Sequence, residues 1–158
     1  MAREIERKFL VEGDGWRMAA DGARHILQAY VAVDGAASVR VRIYDNRFAR
    51  LTVKVSLTDM TRDEFEYPIP LPEAREMAAA SRGRLIEKTR HTLSVDGFVW
   101  EIDEYGGALA GLVVAEVEMG SEYDRPTLPH WLGREVTGDD TWSNIGLAMR
   151  GLPEKVRP

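Results

Sequence analysis

Alternating charged side chains open the chain. Glu4, Glu6 and Lys8 occupy every second position of the segment EIERKFLV, residues 4–11. Successive side chains of a β-strand point to opposite faces, so a strand here would place two carboxylates and an ammonium group in one row. On an exposed sheet such a row simply faces water, because antiparallel sheets often have one solvated face. In an enclosed site the same row could bind a cation together with an anion.

The same alternation recurs along the chain, and several of the later segments carry charges of a single sign. Arg40-x-Arg42 and Glu116-x-Glu118 are two examples. Like charges at such positions repel one another unless a group of opposite charge lies between neighbouring strands. The basic residues of this pattern are Lys8, Arg40, Arg42, Lys54, Lys88 and Arg90. The acidic residues are Glu4, Glu6, Glu64, Glu66, Glu101, Asp103, Glu116 and Glu118.

Together, the two sets suit a site for a metal ion and a polyphosphate. Guanidinium groups match phosphate oxygens with two parallel hydrogen bonds. Carboxylates alone would repel a polyanion, but Mg²⁺ is commonly bound between one or two carboxylates and substrate phosphates. The interior of an eight-stranded barrel is just wide enough for side chains or one small ligand. We therefore expect the charged face to line the inside of a barrel.

Secondary structure is predicted from the same periodicity, which alternates with a period of two over most of the chain. Strands are predicted at residues 3–11, 24–33, 38–45, 50–57, 62–69, 85–95, 97–105 and 113–120. Helical segments are predicted at residues 14–20, 72–82, 129–136 and 141–150. Thr141 is the expected N-cap of the last segment, and Gly151 follows its end. The expected fold is α+β and mainly β, with a closed eight-stranded antiparallel β-barrel, a few flanking helices and a C-terminal helix in one domain, residues 1–158.

Composition excludes several classes of function. The 158 residues are 44% hydrophobic and 30% charged with a net charge of −5, and no basic block suggests a nucleic-acid partner. The chain has no cysteine, which excludes disulfides and thiolate metal sites and fits a cytoplasmic location. Its three histidines, His25, His91 and His130, lack the spacing of zinc ligands. Neither a signal peptide nor a membrane span is expected, because the start is charged and no apolar run is long enough.

Glu4-x-Glu6-x-Lys8 resembles the ExExK signature of the CYTH superfamily, the triphosphate tunnel metalloenzymes. Further segments with the family's residues and order are Arg40-x-Arg42, Thr52-x-Lys54, Arg62-x-Glu64-x-Glu66, residues 87–90, Glu101-x-Asp103, Glu116-x-Glu118 and residues 133–144. The resemblance covers residues 3 to about 150, and small bacterial inorganic triphosphatases are the most similar members. It implies an eight-stranded antiparallel tunnel that binds triphosphate with one or two Mg²⁺ or Mn²⁺ ions.

The resemblance also implies a role for each charged position. The implied metal ligands are Glu4, Glu6, Glu101, Asp103, Glu116 and Glu118. The implied phosphate-binding residues are Lys8, Arg40, Arg42, Lys54, Lys88 and Arg90. Glu64 and Glu66, together with Glu101 and Asp103, are expected to hold a second metal ion or to orient the attacking water. The predicted catalytic residues are Lys8, Glu64, Glu66 and Tyr30. Lys8 is expected to contact the phosphate being cleaved, with an internal salt bridge to Glu4 or Glu6 as its alternative. Tyr30 is expected either to reach a phosphate or to fill the barrel.

Two positions depart from the family pattern. Val55 follows Lys54 where a glycine is common, and Trp142 stands where a tyrosine is expected beside Ser143 and Asn144. Both changes leave the charged residues intact, so they affect only a local turn and the way the C-terminal helix docks.

Several functions stay open at this point. Metal-dependent hydrolysis of inorganic triphosphate is the leading prediction. The alternatives are a class IV-like adenylate cyclase, a nucleoside or thiamine triphosphatase, and a non-catalytic polyphosphate-binding module. The expected partner is a small-molecule triphosphate, without nucleic acid or membrane. A homodimer is also expected, because outward apolar residues such as Val41, Val53 and Ile102 exceed what the predicted helices can cover.

Overall fold

A computed structural model of the chain describes residues 2–153, apart from the side chains of residues 2, 82 and 84. The strands are β1 (Ala2–Val11), β2 (Gly22–Asp34), β3 (Ala37–Tyr44), β4 (Phe48–Ser56), β5 (Thr61–Ile69), β6 (Arg82–Val95), β7 (Phe98–Tyr105), β8 (Val113–Glu118) and β9 (Leu132–Glu135). The α-helices are α1 (Leu71–Ala79) and α2 (Asn144–Arg150). Single-turn helical segments lie at Arg17–Ala19, Gly107–Leu109 and Asp140–Trp142. Within the described residues, neither α-helix has the length and apolar composition needed to cross a bilayer.

The first eight strands close into an antiparallel barrel, as the alternation predicts. Their order is β5-β4-β3-β2-β6-β7-β8-β1, and β1 pairs back onto β5. One edge of β1 pairs with β8 from Glu6 to Leu10. The other edge pairs with β5 from Ala2 to Ile5 and then with β9 at Phe9 and Val11. The ninth strand therefore lies outside the barrel and covers the part of β1 that β5 leaves unpaired.

The helical prediction for residues 129–136 is wrong, because this segment contains β9. The local sequence favours an extended path, since Pro129 begins the segment and Gly133 interrupts it. A Cβ at Gly133 would lie only 3.0 Å from the side chain of Glu12, so a larger residue would not fit as easily beside β1. The free edge of β1 supplies the backbone partners that a short isolated helix would lack.

Two helix boundaries also differ from the prediction. The N-cap of α2 is Ser143, whose Oγ accepts a hydrogen bond from the Gly146 backbone nitrogen at 2.9 Å. Thr141 instead lies in the preceding single turn, where its backbone nitrogen donates to Asp139 Oδ1. α1 ends at Ala79 rather than at residue 82, because the chain joins β6 from that residue onward.

The apolar side chains form a core on the outside of the barrel and at one end of its interior. Trp16, Trp100 and Trp131 belong to a cluster packed on the outward faces of β1, β6, β7 and β8. A separate cluster joins Leu147 and Ala148 of α2 to the inward-facing residues Tyr30, Ile86, Tyr105 and Val114. α2 thus packs across one end of the barrel interior, and the remaining interior is left for charged residues.

Candidate functional site

The charged side chains on one face of the strands point into the barrel and surround a cavity of about 280 Å³. The predicted acidic residues that line it are Glu4, Glu6, Glu101 and Glu116. The predicted basic residues that line it are Lys8, Arg40, Arg42, Lys54 and Arg90, and Tyr30 lines it as well. The structure therefore brings most of the predicted site residues to one cavity. Glu64, Glu66, Lys88, Asp103 and Glu118 do not belong to this lining.

One wall of the cavity is basic and comes from β3 and β4. Arg40 and Arg42 are buried, with 4% and 6% of their surface exposed. The Arg40 Nε group has no hydrogen-bond partner among the described residues, and its Nη2 lies 4.0 Å from Glu64 Oε1. Arg42 Nε donates to Gln28 Oε1 at 2.6 Å, and Gln28 Nε2 donates to the Tyr30 hydroxyl at 2.9 Å. A buried guanidinium with an unsatisfied donor makes a nearby anionic acceptor favourable.

Two pairs of carboxyl groups lie within hydrogen-bonding contact, Glu4 with Glu64 and Glu6 with Glu116. Burial, followed by the hydrogen bond to Glu64, raises the pKa of Glu4 to about 7. Burial, followed by repulsion from the Glu116 charge, raises the pKa of Glu6 to about 8. Burial by itself would raise the pKa of Glu64. The hydrogen bond with Glu4 and the charge of Lys54 outweigh the effect of burial and lower this pKa to about 2. At neutral pH the Glu6–Glu116 pair therefore mostly retains a proton, whereas the Glu4–Glu64 pair is about half protonated, and the protons belong to the coupled pairs.

This arrangement fits a hard divalent cation, because each pair brings carboxylate oxygens together where a positive charge is favourable. Lys54 Nζ already lies 3.4 Å from Glu4 Oε2, and Arg62 Nη1 lies 3.2 Å from Glu6 Oε1. Among the described residues, no three acidic or histidine side chains converge as a ready-made metal site. A cation here would thus need further oxygen ligands from water or from a phosphate ligand, which is the usual way Mg²⁺ binds.

Lys8 projects from β1 between the acidic wall and the segment that leads into α2. Its Nζ donates to the Trp142 carbonyl oxygen at 2.9 Å and lies 3.6 Å from Glu116 Oε1. The Lys8 charge helps to lower the pKa of Glu116, against the effect of burial. The Trp142 departure from the family pattern is accommodated, because Lys8 contacts the backbone of this residue while its side chain is buried against α2.

Of the predicted residues outside the lining, Asp103 and Lys88 point into the barrel and are buried beside the cavity, where Lys88 Nζ is 2.8 Å from Asp103 Oδ2. Burial lowers the pKa of Lys88 to about 7. Burial would raise the pKa of Asp103, but the charges of Arg90 and Lys88 hold it well below its usual range. Asp103 therefore stays ionised.

The other predicted residues outside the lining lie on two strands, β5 and β8. Glu64 lies on β5, with Oε2 3.3 Å from Lys54 Nζ. Glu66 pairs with Arg50 and accepts a hydrogen bond from Thr52 Oγ1 at 3.4 Å. Glu118 is exposed and lies opposite Glu6 in the register of β8 and β1. The structure thus leaves these three carboxylates at the margin of the cavity.

Arg62 was not assigned a role from the sequence, yet it lines the cavity and pairs with Glu6. Its position in Arg62-x-Glu64-x-Glu66 gives it the inward parity, so the alternation alone contained the signal. Thr137, Ser143 and Asn144 also line the cavity, but they come from the loop after β9 and from the N-terminal end of α2. No strand periodicity could have placed them.

A second cavity of about 470 Å³ lies at the other end of β3 and β4. Arg90 and Glu101 line both cavities, and Arg90 Nη1 lies 3.1 Å from Glu101 Oε2. Tyr44 and Phe48 line the second cavity with stacked rings, whose centroids are 5.0 Å apart. The two cavities therefore share a wall at an ion pair and differ in character, since the second presents a stacked pair of aromatic rings whereas Tyr30 lines the first.

Known proteins similar to this chain share both its sequence and its barrel. The inorganic triphosphatase of Acetivibrio thermocellus is 42% identical over 148 residues, covering 93% of this chain and 94% of the relative. The inorganic triphosphatase of Nitrosomonas europaea is 32% identical over 152 residues, covering 92% and 97%. The crystal structure of the inorganic triphosphatase NE1496 superposes with a TM-score of 0.67 at 31% identity, covering 97% of this chain and 99% of that one.

The fold extends to more distant proteins. A Hippeastrum protein described as having a dominant triphosphatase activity is 16% identical with a TM-score of 0.58, covering 75% of this chain and 80% of that chain. This likeness concerns the fold alone. The CYTH domain model matches residues 2–141, which is most of the chain. With the closed barrel, its charged cavity and this match across most of its length, the chain belongs to the CYTH family.

Proposed function

We propose that the protein is a hydrolase of inorganic triphosphate that works with a divalent cation inside the barrel. The observation that carries the proposal is the cavity of about 280 Å³ inside the barrel, in which basic side chains of β3 and β4 face carboxyl groups of β1, β7 and β8. The unused Nε donor of buried Arg40 supports an anionic ligand in that cavity. Two relatives of 42% and 32% identity are inorganic triphosphatases, which supports the same activity here.

The basic residues bind the phosphate chain in this proposal. Arg40 and Arg42 present guanidinium groups from β3, and Lys54 presents an ammonium group from β4. Because these side chains are already held by Glu64, Gln28 and neighbouring carboxylates, they lose little freedom when a ligand binds. Such fixed positive groups place the phosphates for attack and stabilise negative charge that develops during cleavage.

The carboxylates of β1 and β8 would hold the cation. Glu6 and Glu116 offer one pair of ligands, and Glu4 and Glu101 line the same cavity. Glu118 lies opposite Glu6 and extends the acidic row toward solvent. When bound, Mg²⁺ or Mn²⁺ neutralises phosphate charge and makes a coordinated water more acidic. Glu64 serves in this proposal by holding Lys54 and Arg40.

Lys8 is the residue that we assign to the phosphate undergoing cleavage. It shares the cavity with Glu6 and Glu116, and its contact to the Trp142 carbonyl holds the ammonium group at the inner surface. From that position it can donate a hydrogen bond to a phosphate oxygen as charge develops there. Tyr30 lines the same cavity, but its hydroxyl accepts a hydrogen bond from Gln28, which in turn accepts one from Arg42. We therefore assign Tyr30 to holding Gln28 and Arg42 in place.

The direct test is phosphate release from tripolyphosphate, pyrophosphate, ATP and thiamine triphosphate, each with Mg²⁺, Mn²⁺ or EDTA. We expect strong release from tripolyphosphate with either metal and none with EDTA. Cyclic AMP formed from ATP, without release from tripolyphosphate, would replace this proposal with cyclase chemistry. Metal-independent binding of tripolyphosphate without turnover would favour a polyphosphate-binding module.

A second candidate substrate is a nucleoside triphosphate, and the second cavity favours it. Tyr44 and Phe48 offer an aromatic surface beyond Arg90, and the Arg24 guanidinium lies 5.1 Å from the Phe48 ring centroid. A base could stack there while its phosphates occupy the charged cavity. We rank this candidate second because the basic residues of both cavities can bind the phosphates of an inorganic triphosphate as well as those of a nucleotide.

We also propose a homodimer located in the cytoplasm. Tyr67 on the outward face of β5 is 54% exposed, and Val53 and Phe65 nearby are only partly buried. α1 covers a different region, where Ala74 packs against Ile43 and Ala49. Light scattering at micromolar concentration should give twice the chain mass of 17.8 kDa, and a monomeric mass would contradict the dimer.

The absence of cysteine fits a reducing compartment, and recovery from an extracytoplasmic fraction would contradict the location.

A further inference from the structure

A buried ionic network lies inside the barrel beside the charged cavity. Asp103 and Lys88 have only 2% and 1% of their surface exposed. Arg90 donates to both carboxylate oxygens of Asp103, from Nε to Oδ1 at 2.8 Å and from Nη2 to Oδ2 at 2.9 Å. Lys88 Nζ lies 2.8 Å from the same Oδ2. Of these three residues, only Arg90 lines the cavity.

This geometry leaves Asp103 poorly suited to bind a metal ion in the cavity. Both of its oxygens already contact a cation, so coordination would require it to release Arg90 or Lys88. A buried charge that loses its partner is strongly destabilising. The Lys88 ammonium does not line the cavity, and its side chain is fully buried against Asp103 and Tyr105. Its Nζ lies 2.8 Å from Asp103 Oδ2 but has no hydrogen bond of good geometry among the described residues, so we assign it to the ion pair with Asp103.

The same geometry gives Arg90 a defined orientation. Two parallel hydrogen bonds to one carboxylate fix the plane of a guanidinium, whereas a single contact would let it rotate. The remaining nitrogen, Nη1, lies 3.1 Å from Glu101 Oε2, where the two cavities meet. A donor held in this way can contact a phosphate oxygen without first losing conformational freedom.

We propose that Asp103 is a positioning residue that orients Arg90 toward the polyphosphate chain, and that Lys88 is the buried counter-ion of Asp103. The inference rests on the proposed function of the cavity as a triphosphate site. It replaces the roles implied by the family resemblance, in which Asp103 binds metal and Lys88 binds phosphate. The side chains of Lys88, Arg90 and Asp103 all point into the barrel, but only that of Arg90 lines the cavity.

The test compares metal binding with polyphosphate binding in Asp103→Asn. The probes are Mn²⁺, followed by electron paramagnetic resonance of the free ion, and the nitrogen-bridged analogue imidotriphosphate, followed by calorimetry with Mn²⁺ present. We expect analogue binding at least tenfold weaker, because one of the two contacts that fix Arg90 is lost, and Mn²⁺ affinity within twofold of wild type. The matched control is Glu116→Gln, which should weaken Mn²⁺ binding at least tenfold.

Mn²⁺ binding weakened in Asp103→Asn as much as in Glu116→Gln would overturn the inference. Unchanged binding of the analogue would overturn it as well. If Asp103→Asn does not fold, the double variant Asp103→Asn/Lys88→Met removes the unpaired ammonium group, and the same outcomes apply. Arg90→Lys should also weaken imidotriphosphate binding at least tenfold. Adding Arg90→Lys to Asp103→Asn should weaken binding by less than a further twofold, because both changes disrupt the same Arg90–Asp103 contact. Additive losses would contradict a shared role.

The proposed function can fail separately from this inference. A wild-type protein that binds imidotriphosphate but does not hydrolyse tripolyphosphate would contradict the proposed hydrolase, while the comparison of variants would still decide the role of Asp103. A wild-type protein that does not bind the analogue would overturn both.

Discussion

Lys8 donates a hydrogen bond from Nζ to the backbone carbonyl oxygen of Trp142 at 2.9 Å. The two residues are far apart in sequence, one on the first strand and one immediately before the N-cap of α2. This contact joins the inner surface of the barrel to the segment that leads into its C-terminal helix. The same ammonium group is 3.6 Å from Glu116, so it lies between the acidic wall and the chain that covers the cavity.

From this contact we predict that Lys8→Met lowers kcat for tripolyphosphate by about a hundredfold or more, the usual cost of removing a donor to a developing oxyanion. Steady-state kinetics with saturating Mg²⁺ measure the effect. Arg7→Met is the matched control, because Arg7 lies on the outward face of the same strand and pairs with Glu135 at 2.8 Å. The control should keep kcat within twofold. Unchanged kcat and KM in Lys8→Met would remove Lys8 from the mechanism.

Arg62 should contribute to substrate binding, although the family resemblance gave it no role. It lines the cavity and lies 3.2 Å from Glu6. We predict that Arg62→Gln raises KM for tripolyphosphate at least tenfold, the usual scale for losing a charge-assisted hydrogen bond. Arg3→Gln is the control, since Arg3 pairs with Asp63 at 3.2 Å on the opposite parity and is exposed. Equal KM values for the two variants would show that Arg62 does not contact substrate.

The stability of the metal-free protein should depend on pH through Glu6. The folded-state pKa of about 8 lies above the unfolded value of 4.5, because burial and then Glu116 disfavour its charge. The folded state therefore holds more protons between these values, and the contribution of Glu6 is full below pH 4.5 and is lost as pH rises toward 8. The slope is at most about 1.4 kcal/mol per pH unit for one proton.

Denaturant unfolding in EDTA at several pH values between 5 and 8 measures this effect. Relative to wild type, Glu6→Gln should gain stability as pH rises, because a neutral amide does not titrate. Glu73→Gln, on the exposed first turn of α1, should follow the wild-type curve. If Glu6→Gln also follows that curve, the Glu6 proton does not contribute.

Phe48 tests whether the second cavity serves a nucleotide. Its ring stacks on Tyr44 and remains 37% exposed, so Phe48→Ala should fold. If a base stacks there, the inhibition constant of ATP against tripolyphosphate hydrolysis should rise about tenfold, while KM for tripolyphosphate stays constant. Tyr67→Ala, on the outward face of β5, is the control. An unaltered inhibition constant would restrict the protein to the inorganic substrate.

The sequence was sufficient to predict the barrel, because its main determinant is local. Alternation of charged and apolar residues assigns each strand two faces, and like-charged rows such as Arg40 with Arg42 identify the face that needs an opposite charge nearby. The same local rule placed Glu4, Glu6 and Lys8 on the inner face. It failed at residues 129–136, where the outcome depended on a free edge of β1 that exists only after the barrel has closed.

Only the tertiary structure decided where each inward side chain lies along the barrel axis and whether it reaches the cavity. Lys88, Arg90 and Asp103 share inward parity, yet only Arg90 reaches the cavity while the other two form its buried support. Parity specifies a face, but depth depends on the register between strands and on where α2 packs across the interior. These are long-range contacts, so the sequence by itself determined the charged lining, and the folded barrel determined which of its members can meet a ligand.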